Sequence, residues 1–499
     1  MGEKATRRPT EPAPTPRPFT GQPLGVAQRG IGQCEDAIAT QRRTLEQCRL
    51  FKNRTAEATT LINLGNSLSE MEQFDEAIAV REESLAIGRA LEEPLIQAQA
   101  LDNLGVDLRL TGRTGDAVKA HTEAVSMLRD SGQQHLQAAA LANLAGALWM
   151  AREFQKAVTA GRTSVELYRD LGNRYGEAGA LVNLGLCLQS ARQPHEAAGH
   201  LLRARELYRE AGKKRSEGQT LSRLGGVLME CGRGGEAVGA LHDATALLAR
   251  AGDRKGEADA LTLLIAALEE AGESESLISA LVRAVAANRE VGNDEALAHQ
   301  LYSLGLHLYE AGGFEAAVEP LTESAMLADQ INDHEAETEA LAILGMALAD
   351  AGRTDEAIQT LKQASETHLK AGEAGDAETT ASAMAHAALG NVLSESQRFH
   401  EAMQVLERAV ATYHELGDAN GEANALTWLG LALGETGRLI DAANAHGRAA
   451  TRYNSLADKE GTAGALSNLS SILMAMGRRE EAFRVLLRAS ALWSAGDKP

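Results

Sequence analysis

Two short stretches of the sequence carry residue types that cofactor and metal sites use. The segment Gly232-Arg233-Gly234-Gly235-Glu236-Ala237 fits a dinucleotide-binding glycine pattern, and His195-Glu196 with His200 contains the residue types of a zinc site. The glycine pattern must follow a strand, whereas this one follows a helical pattern. Histidines five residues apart lie about 140° apart around a helix, so they cannot face one metal. The sequence therefore predicts no catalytic residue, no cofactor and no metal site.

The composition narrows the class of protein. The chain has 499 residues, a net charge of −20 and 3% aromatic residues. Because nucleic acids and anionic membrane surfaces bind basic proteins, this charge argues against both as partners. The cysteines have no ligand-like spacing, and there is neither a long apolar run nor an N-terminal apolar leader segment. We therefore expect a cytoplasmic protein, and the balance of arginine, alanine and glycine favours a bacterial source.

A forty-residue period dominates the sequence. One unit begins at Leu101-Asp102-Asn103-Leu104-Gly105 and ends at Gly132, and the step of forty lengthens once, to forty-five. A fixed period of this size predicts a solenoid of identical supersecondary units. We call the first residue of each unit the anchor. The eleven anchors are Leu61, Leu101, Leu141, Leu181, Leu221, Leu261, Leu301, Leu341, His386, Leu426 and Leu466.

Each unit is predicted to form two helices. Leucines at the anchor and three and seven residues after it make one apolar stripe at helical spacing. Small residues such as Gly105 and Ala117 let two helices approach closely, and Gly132 is expected to end the second helix with positive φ. In the unit anchored at Leu261, Ile265 and Leu277 replace the two small residues, so we expect its helices to lie further apart.

This spacing of leucine, glycine and alanine resembles the tetratricopeptide repeat, whose usual period is about thirty-four. The forty-residue variant is similar to the repeats of Pins-type adaptors and of actinobacterial NB-ARC regulators. The resemblance covers residues 54–493 and recurs eleven times. It implies an all-α fold, an α-solenoid in which about eleven antiparallel helix pairs form a right-handed superhelix. It also implies a non-enzymatic protein that binds other proteins.

The period also predicts the domain organisation. The boundary between two repeat blocks is expected at the inserted residues, which form either a long loop or a joint. The final helix would leave Phe483, Leu486 and Leu487 uncovered. The predicted parts are a disordered proline-rich tail (1–23), a degenerate capping repeat (24–53), a repeat block (54–370), a loop insertion and the start of the next repeat (371–385), a C-terminal repeat block (386–493) and a tail (494–499).

A column of asparagines is the most informative feature for function. Asn63, Asn103, Asn143 and Asn183, here called the asparagine ladder, lie two residues after successive anchors, and Arg223 continues the column. Asparagine is a mediocre helix former, and its amide can donate to and accept from a peptide main chain at once. In tetratricopeptide proteins that this chain resembles, such a ladder in the concave groove holds a peptide main chain. The alternative is that these side chains bridge adjacent repeats.

Acidic and aromatic residues are predicted to form another part of the groove. The middle repeats carry Glu270 and Glu310, and the same register places Trp149, Tyr302 and Tyr309 toward the groove. This surface favours a basic or amphipathic ligand. Acids nine residues after the anchor are expected to pair with arginines three residues later, as at Glu230 and Arg233. Glu270 and Glu310 lack such an arginine, so a cation-binding ledge is the alternative there.

The function predicted from these features is a scaffold that binds a protein or peptide segment in its concave groove. One alternative is a regulatory module that acts in trans with a separate signalling ATPase or transcription factor. Another is a structural solenoid that associates with itself through its C-terminal helix.

Overall fold

The computed structural model describes residues 34–371 and 379–496, with side chains described over 34–367 and 379–493. The described residues form twenty-three α-helices and contain no strand. They divide between Gly252 and Asp253 into two compact units, which are described separately as unit 1 and unit 2. The all-α solenoid predicted from the repeat is confirmed.

Unit 1 contains one single helix followed by five helix pairs. Successive first helices of the pairs (α2, α4, α6, α8, α10) begin forty residues apart. The helices are α1 (Cys34–Leu50), α2 (Arg54–Glu70), α3 (Phe74–Ala90), α4 (Pro94–Leu110), α5 (Thr114–Asp130), α6 (Gln134–Met150), α7 (Phe154–Asp170), α8 (Arg174–Ser190), α9 (Pro194–Glu210), α10 (Lys214–Glu230) and α11 (Gly234–Arg250).

Unit 2 contains six helix pairs, whose first helices are α12, α14, α16, α18, α20 and α22. The helices are α12 (Arg254–Ala271), α13 (Ser274–Val291), α14 (Asp294–Glu310), α15 (Phe314–Gln330), α16 (His334–Asp350), α17 (Thr354–Ala371), α18 (Thr380–Glu395), α19 (Phe399–Leu416), α20 (Ala419–Glu435), α21 (Leu439–Ser455), α22 (Lys459–Ala475) and α23 (Arg479–Gly496).

The predicted domain limits fall partly outside the described residues. The tail 1–23, part of the capping repeat 24–53 and most of the loop insertion lie outside them. The described part of the capping repeat is α1, which packs on α2. The division between the units lies inside the predicted block 54–370, and the boundary expected at 371–385 stays a prediction.

The turns between helices use the left-handed region of the backbone. Gly112 (φ 78°) and Gly132 (φ 67°) adopt it, as predicted. Glu72 (φ 59°) and Arg152 (φ 61°) adopt it without being glycine. Because this region costs an L-residue about 1–2 kcal/mol, the packing of the helices must impose the turn where glycine is absent.

The small residue four positions after the anchor lies against the residue twenty positions after it, on the second helix. A Cβ atom built on Gly225 would lie 2.3 Å from Cγ of Leu241, and one built on Gly305 would lie 2.4 Å from Cγ of Leu321. The predicted close approach of the two helices is therefore confirmed at these repeats. Any larger residue at the glycine position would have to displace the second helix.

In the first two helix pairs of unit 1 the same contact is made by polar residues instead. Arg81 lies against Gly65 and His121 lies against Gly105, and both polar side chains are buried. Nε of Arg81 donates to Oδ2 of Asp107, which lies on the next first helix (2.5 Å). The interior of unit 1 thus contains a buried ion pair that joins two repeats.

Buried glutamates join the repeats at the start of the first helices. Glu57 is paired with Arg49 of the preceding helix (3.0 Å) and with Arg54 (2.7 Å). A carboxylate in the first turn also interacts favourably with the helix dipole. This column of buried glutamates was not predicted from the sequence. Its members, four residues before their anchors, are Glu57, Glu177, Glu217, Glu257, Glu337 and Glu422.

Candidate functional site

The first helices lie on the inner side of each unit. In unit 1, α2 contacts α4, α4 contacts α6, and α6 contacts α8; in unit 2, α14 contacts α16 and α16 contacts α18. Among the described residues, no comparable contact joins successive second helices. Because the first helices approach each other more closely, each unit curves with them on the inside. We call the solvent-facing side of the first helices the inner face.

The asparagine ladder lies on the inner face of unit 1, and its members differ. Asn63 and Asn103 are half-buried and Asn183 is exposed, and their side-chain amides have no hydrogen-bond partner within the described residues. Nδ2 of Asn143 instead donates to Oδ2 of Asp102, on the preceding first helix (3.1 Å). Asn143 therefore bridges two repeats, whereas three amides of the ladder are unpaired.

Asp102 connects Asn143 to the interior. Its Oδ1 lies 2.7 Å from Nδ1 of His121, whose side chain is fully buried. Burial raises the pKa of Tyr168, and the charge of Asp102 raises it further. Asn143 is thus the outer member of a buried network, and this network was not predicted. Arg223, which continues the column, is exposed on α10.

Two of the predicted aromatic residues hydrogen-bond to the next first helix. Nε1 of Trp149 donates to Oγ of Ser190 (2.6 Å), and the hydroxyl of Tyr309 donates to Oδ2 of Asp350 (2.8 Å). Trp149 remains 41% exposed. Burial raises the pKa of Tyr309 to about 12, with the bond to Asp350 as the next cause. Both side chains therefore join repeats along the inner face.

The prediction that acids nine residues after the anchor pair with arginines three residues later is wrong. Glu230 accepts a hydrogen bond from Nε2 of Gln189, on the preceding first helix (2.5 Å). Arg233 pairs with Glu236 (2.6 Å), because an acid three residues ahead lies on the same side of the second helix. The other arginines pair in the same way: Arg353 with Glu356, Arg398 with Glu401 and Arg438 with Asp441.

In unit 2 the inner face opens into a pocket of 620 Å³ formed by α12, α14, α16 and adjoining residues. Ile265 and Leu281 contribute to its apolar wall. The pocket therefore opens at the repeat in which a large residue replaces the close-packing glycine, where the sequence predicts more widely spaced helices. The aromatic and charged residues that line it are Glu269, Glu295, His299, Tyr302, Asp333 and Glu339.

Glu339 is a half-buried carboxylate of this pocket. Burial raises the pKa of Glu339, and Glu335 and Asp333 raise it further, whereas His299 lowers it. Burial also raises the pKa of Tyr302, with the charge of Glu339 as the next cause. The phenol ring and the carboxylate therefore lie in the same part of the pocket. Within the described residues Glu339 has no ion pair.

Neither Glu270 nor Glu310, the predicted acids of the middle repeats, lines the pocket. Glu269 lines it, while its neighbour Glu270 is exposed outside it. Nδ1 of His307 lies 3.2 Å from a carboxylate oxygen of Glu310, and Nε2 lies 3.8 Å from one of Glu269. His307 thus stands between two carboxylates. Of the predicted residues, Tyr302 alone lines this pocket.

Glu339 and His299 were not predicted from the sequence as pocket residues. Each lies two residues before its anchor, on α16 and α14 respectively, in the register of the inner face. An acidic residue two positions before an anchor is the sequence signal that could have identified Glu339.

The described residues contain no helix long and apolar enough to cross a membrane. Among the same residues, no group of three or more histidine, cysteine, aspartate or glutamate side chains could hold a metal ion.

Comparison with family models identifies the repeat. Four models described as tetratricopeptide repeat match residues 21–90, 57–130, 96–170, 338–367, 385–419 and 462–494. The chain belongs to the tetratricopeptide-repeat family. No curated protein is significantly similar to it.

Several solved structures are similar to the chain at low sequence identity. BtubC (BKLC) from P. vanneervenii is 20% identical, covers 45% of this chain and 93% of its own, and has a TM-score of 0.41. The apo form of RapI is 16% identical and covers 56% of this chain and 99% of its own, with a TM-score of 0.42. A Rap protein complexed with competence and sporulation factor is 13% identical and covers 76% and 98%, with a TM-score of 0.42.

Proposed function

We propose that the inner face of unit 1 binds an extended segment of a partner protein through its main chain. Tetratricopeptide-repeat proteins are in general non-catalytic interaction scaffolds, and we assign this role to the chain in the cytoplasm. The observation that carries the proposal is that the amides of Asn63, Asn103 and Asn183 lie at one register of the inner face without a hydrogen-bond partner among the described residues.

An amide at each of these positions suits a main-chain ligand. An extended segment offers a C=O acceptor and an N–H donor at regular intervals, whatever its side chains are. A carboxamide side chain can satisfy both groups at once. Asn143 contributes differently, because its Nδ2 donates to Asp102. It therefore helps to set the spacing of the first helices on which the other three asparagines lie.

The charge of the chain sets the expected character of the partner. The net charge is −20, and the pocket of unit 2 is lined by Glu269, Glu295, Asp333 and Glu339. Complementary charge raises association rates and excludes acidic partners. We therefore propose a basic or amphipathic segment as the ligand.

The experiment is affinity capture from the cytosol of the source organism with the full chain, followed by mass spectrometry. The test variant carries Asn103→Ala and Asn183→Ala, and the matched control carries Asn143→Ala. We expect the double variant to retain its helicity and lose the partner, since each bond contributes about 1 kcal/mol. The control should keep the partner. A partner captured equally by all three chains would contradict the proposal.

Self-association is a second candidate, favoured by one observation. The face of α23 exposes Phe483, Leu486, Leu487 and Trp493, and Trp493 is 61% exposed whereas its equivalent Tyr453 is 8% exposed. Large exposed apolar patches mark interaction sites. Light scattering of the full chain beside the Phe483→Ser and Leu487→Ser double variant tests this. A mass equal to one chain for both would exclude it.

A further inference from the structure

Glu339 differs in its ion-pair partners from the buried glutamates of the chain. Glu422 has Arg448 at 3.0 Å and Arg452 at 2.8 Å, and Glu57 is likewise held by two arginines. Glu339 has no such partner within the described residues, although it is half-buried. A carboxylate that has lost water without gaining a cation is costly. A cation supplied by a ligand would remove that cost.

The groups around Glu339 suit a planar cation. Tyr302 lies on α14 and lines the same pocket as Glu339. Glu269 faces the same pocket from α12. A guanidinium group stacks on aromatic rings and has five donors in a fixed plane, so it can reach several acceptors at once. An ammonium group is a compact, strongly hydrated charge and cannot stack on the ring of Tyr302 as a planar guanidinium does.

The rest of the pocket suits the remainder of an arginine residue. Ala266, Ile331 and Ala336 give it an accessible apolar wall that the aliphatic part of the side chain can cover. Its volume of 620 Å³ lies inside the range of about 300–1,000 Å³ typical of ligand pockets. That volume holds a side chain together with its flanking main chain.

From this combination we propose that the pocket formed by α12, α14 and α16 binds an arginine side chain of a polypeptide ligand, with Glu339 and Glu269 as the anionic partners of the guanidinium and Tyr302 as the ring on which it stacks. This inference rests on the proposed function in assigning the arginine to a polypeptide ligand of the inner face. It adds a residue-specific site in unit 2 to the main-chain contacts proposed for unit 1.

The test uses single-residue probes and the full chain. The probes are the N-acetyl N-methylamide derivatives of arginine, citrulline and lysine, and citrulline has nearly the shape of arginine without its charge. Methyl signals of Ile265 and Ile331, which both line the pocket, are followed in isoleucine-labelled protein and assigned with Ile265→Val and Ile331→Val. We expect the arginine probe to shift both signals saturably. The other two probes should bind about tenfold more weakly, because they lose the charge or the stacking.

Two charge variants complete the test. Glu339→Gln should weaken the arginine probe about tenfold, since it removes a charged partner. Glu435→Gln removes one charge from α20 outside the pocket and should leave the affinity unchanged. If Glu339→Gln lowers the helicity, Glu269→Gln takes its place. Equal binding of the arginine probe and either other probe, unchanged affinity in the pocket variant, or shifts confined to other isoleucines would overturn the assignment.

This result is separable from the proposed function. The probes make no use of the asparagine ladder, so the pocket can bind arginine even if the Asn103→Ala and Asn183→Ala double variant keeps every partner. Conversely, loss of a partner from that double variant stands if the probes do not bind.

Discussion

The first two helix pairs of unit 1 and the middle pairs of unit 2 belong to the same repeat, but different residues fill the contact between their helices. In unit 2, Leu321 and Leu361 lie against glycines of their own repeats and are fully buried. In the first two helix pairs of unit 1, Arg81 and His121 take this position and reach carboxylates, Arg81 to Asp107 of the next first helix. Later in unit 1 the position is again apolar, with Leu201 and Leu241. An apolar pair holds one repeat together, whereas a polar residue here can also fix the position of a neighbouring repeat.

The inner faces differ in a corresponding way. Asp102, which is held by His121, accepts a hydrogen bond from Asn143, so the polar interior of unit 1 reaches its asparagine ladder. In unit 2, Ile265 replaces the glycine of the helix contact, and the inner face has the acidic pocket at this repeat. One architecture therefore carries two chemically different inner faces.

The largest expected effect comes from breaking the ion pair of unit 1. Arg81→Leu introduces the residue that unit 2 uses but leaves Asp107 buried without a cation. We expect a loss of about 3–5 kcal/mol in the free energy of unfolding, measured by urea titration followed by circular dichroism. The control is the Arg81→Leu and Asp107→Ala double variant, which should recover most of the loss. Wild-type stability of the single variant would show that the ion pair does not hold the repeats.

A smaller effect is expected at His446 of unit 2. His446 is fully buried, neither ring nitrogen has a hydrogen-bond partner within the described residues, and burial lowers its pKa from 6.5 to about 4. Between these values the unfolded chain binds a proton that the folded chain does not. Protonation of the unfolded chain at His446 therefore does not affect stability above pH 6.5. As the pH drops from 6.5 to 4, it lowers the free energy of unfolding by about 3 kcal/mol.

His446→Leu isolates this contribution, because Leu406 fills the same position against Gly390. Urea titrations of both chains at pH 7.5 and pH 4.5 should show a smaller acid loss in the variant. The same loss in both chains would contradict the assignment of acid sensitivity to His446.

The smallest effect tests the glycine contact itself, with two adjacent glycines. A Cβ on Gly225 would meet Leu241 at 2.3 Å, whereas one on Gly226 would meet no atom within 4 Å. Gly225→Ala should lower the free energy of unfolding by about 1–3 kcal/mol through overpacking. Gly226→Ala should raise it by about 0.5–1 kcal/mol, because alanine favours the helix. Changes of the same sign in thermal unfolding would refute this account of the contact.

The repeat made the fold predictable, because the positions that set it recur every forty residues. Gly132 ends its helix as expected, and Gly305 permits the close approach to Leu321. Pairing of side chains was less predictable. Arg233 turns to Glu236 rather than to Glu230, since the choice depends on side-chain direction and not on spacing.

The candidate site was predictable only in part. Asn63, Asn103 and Asn183 lie on the inner face in the register that the sequence indicates. The bridge from Asn143 depends on Asp102, which belongs to another repeat. The pocket of unit 2 depends on three first helices together, and Glu339 has no distinguishing neighbour in the sequence. Contacts between repeats therefore cannot be predicted from the sequence of a single repeat.

The most direct test of main-chain binding is the dissociation constant of the captured partner segment, measured by isothermal titration calorimetry with three chains. For the Asn103→Ala and Asn183→Ala double variant we predict an affinity about thirtyfold lower than that of the wild type. For Asn143→Ala we predict an affinity close to the wild-type value with a lower melting temperature. Wild-type affinity in the double variant would contradict main-chain binding by these asparagines and would leave them with a structural role only.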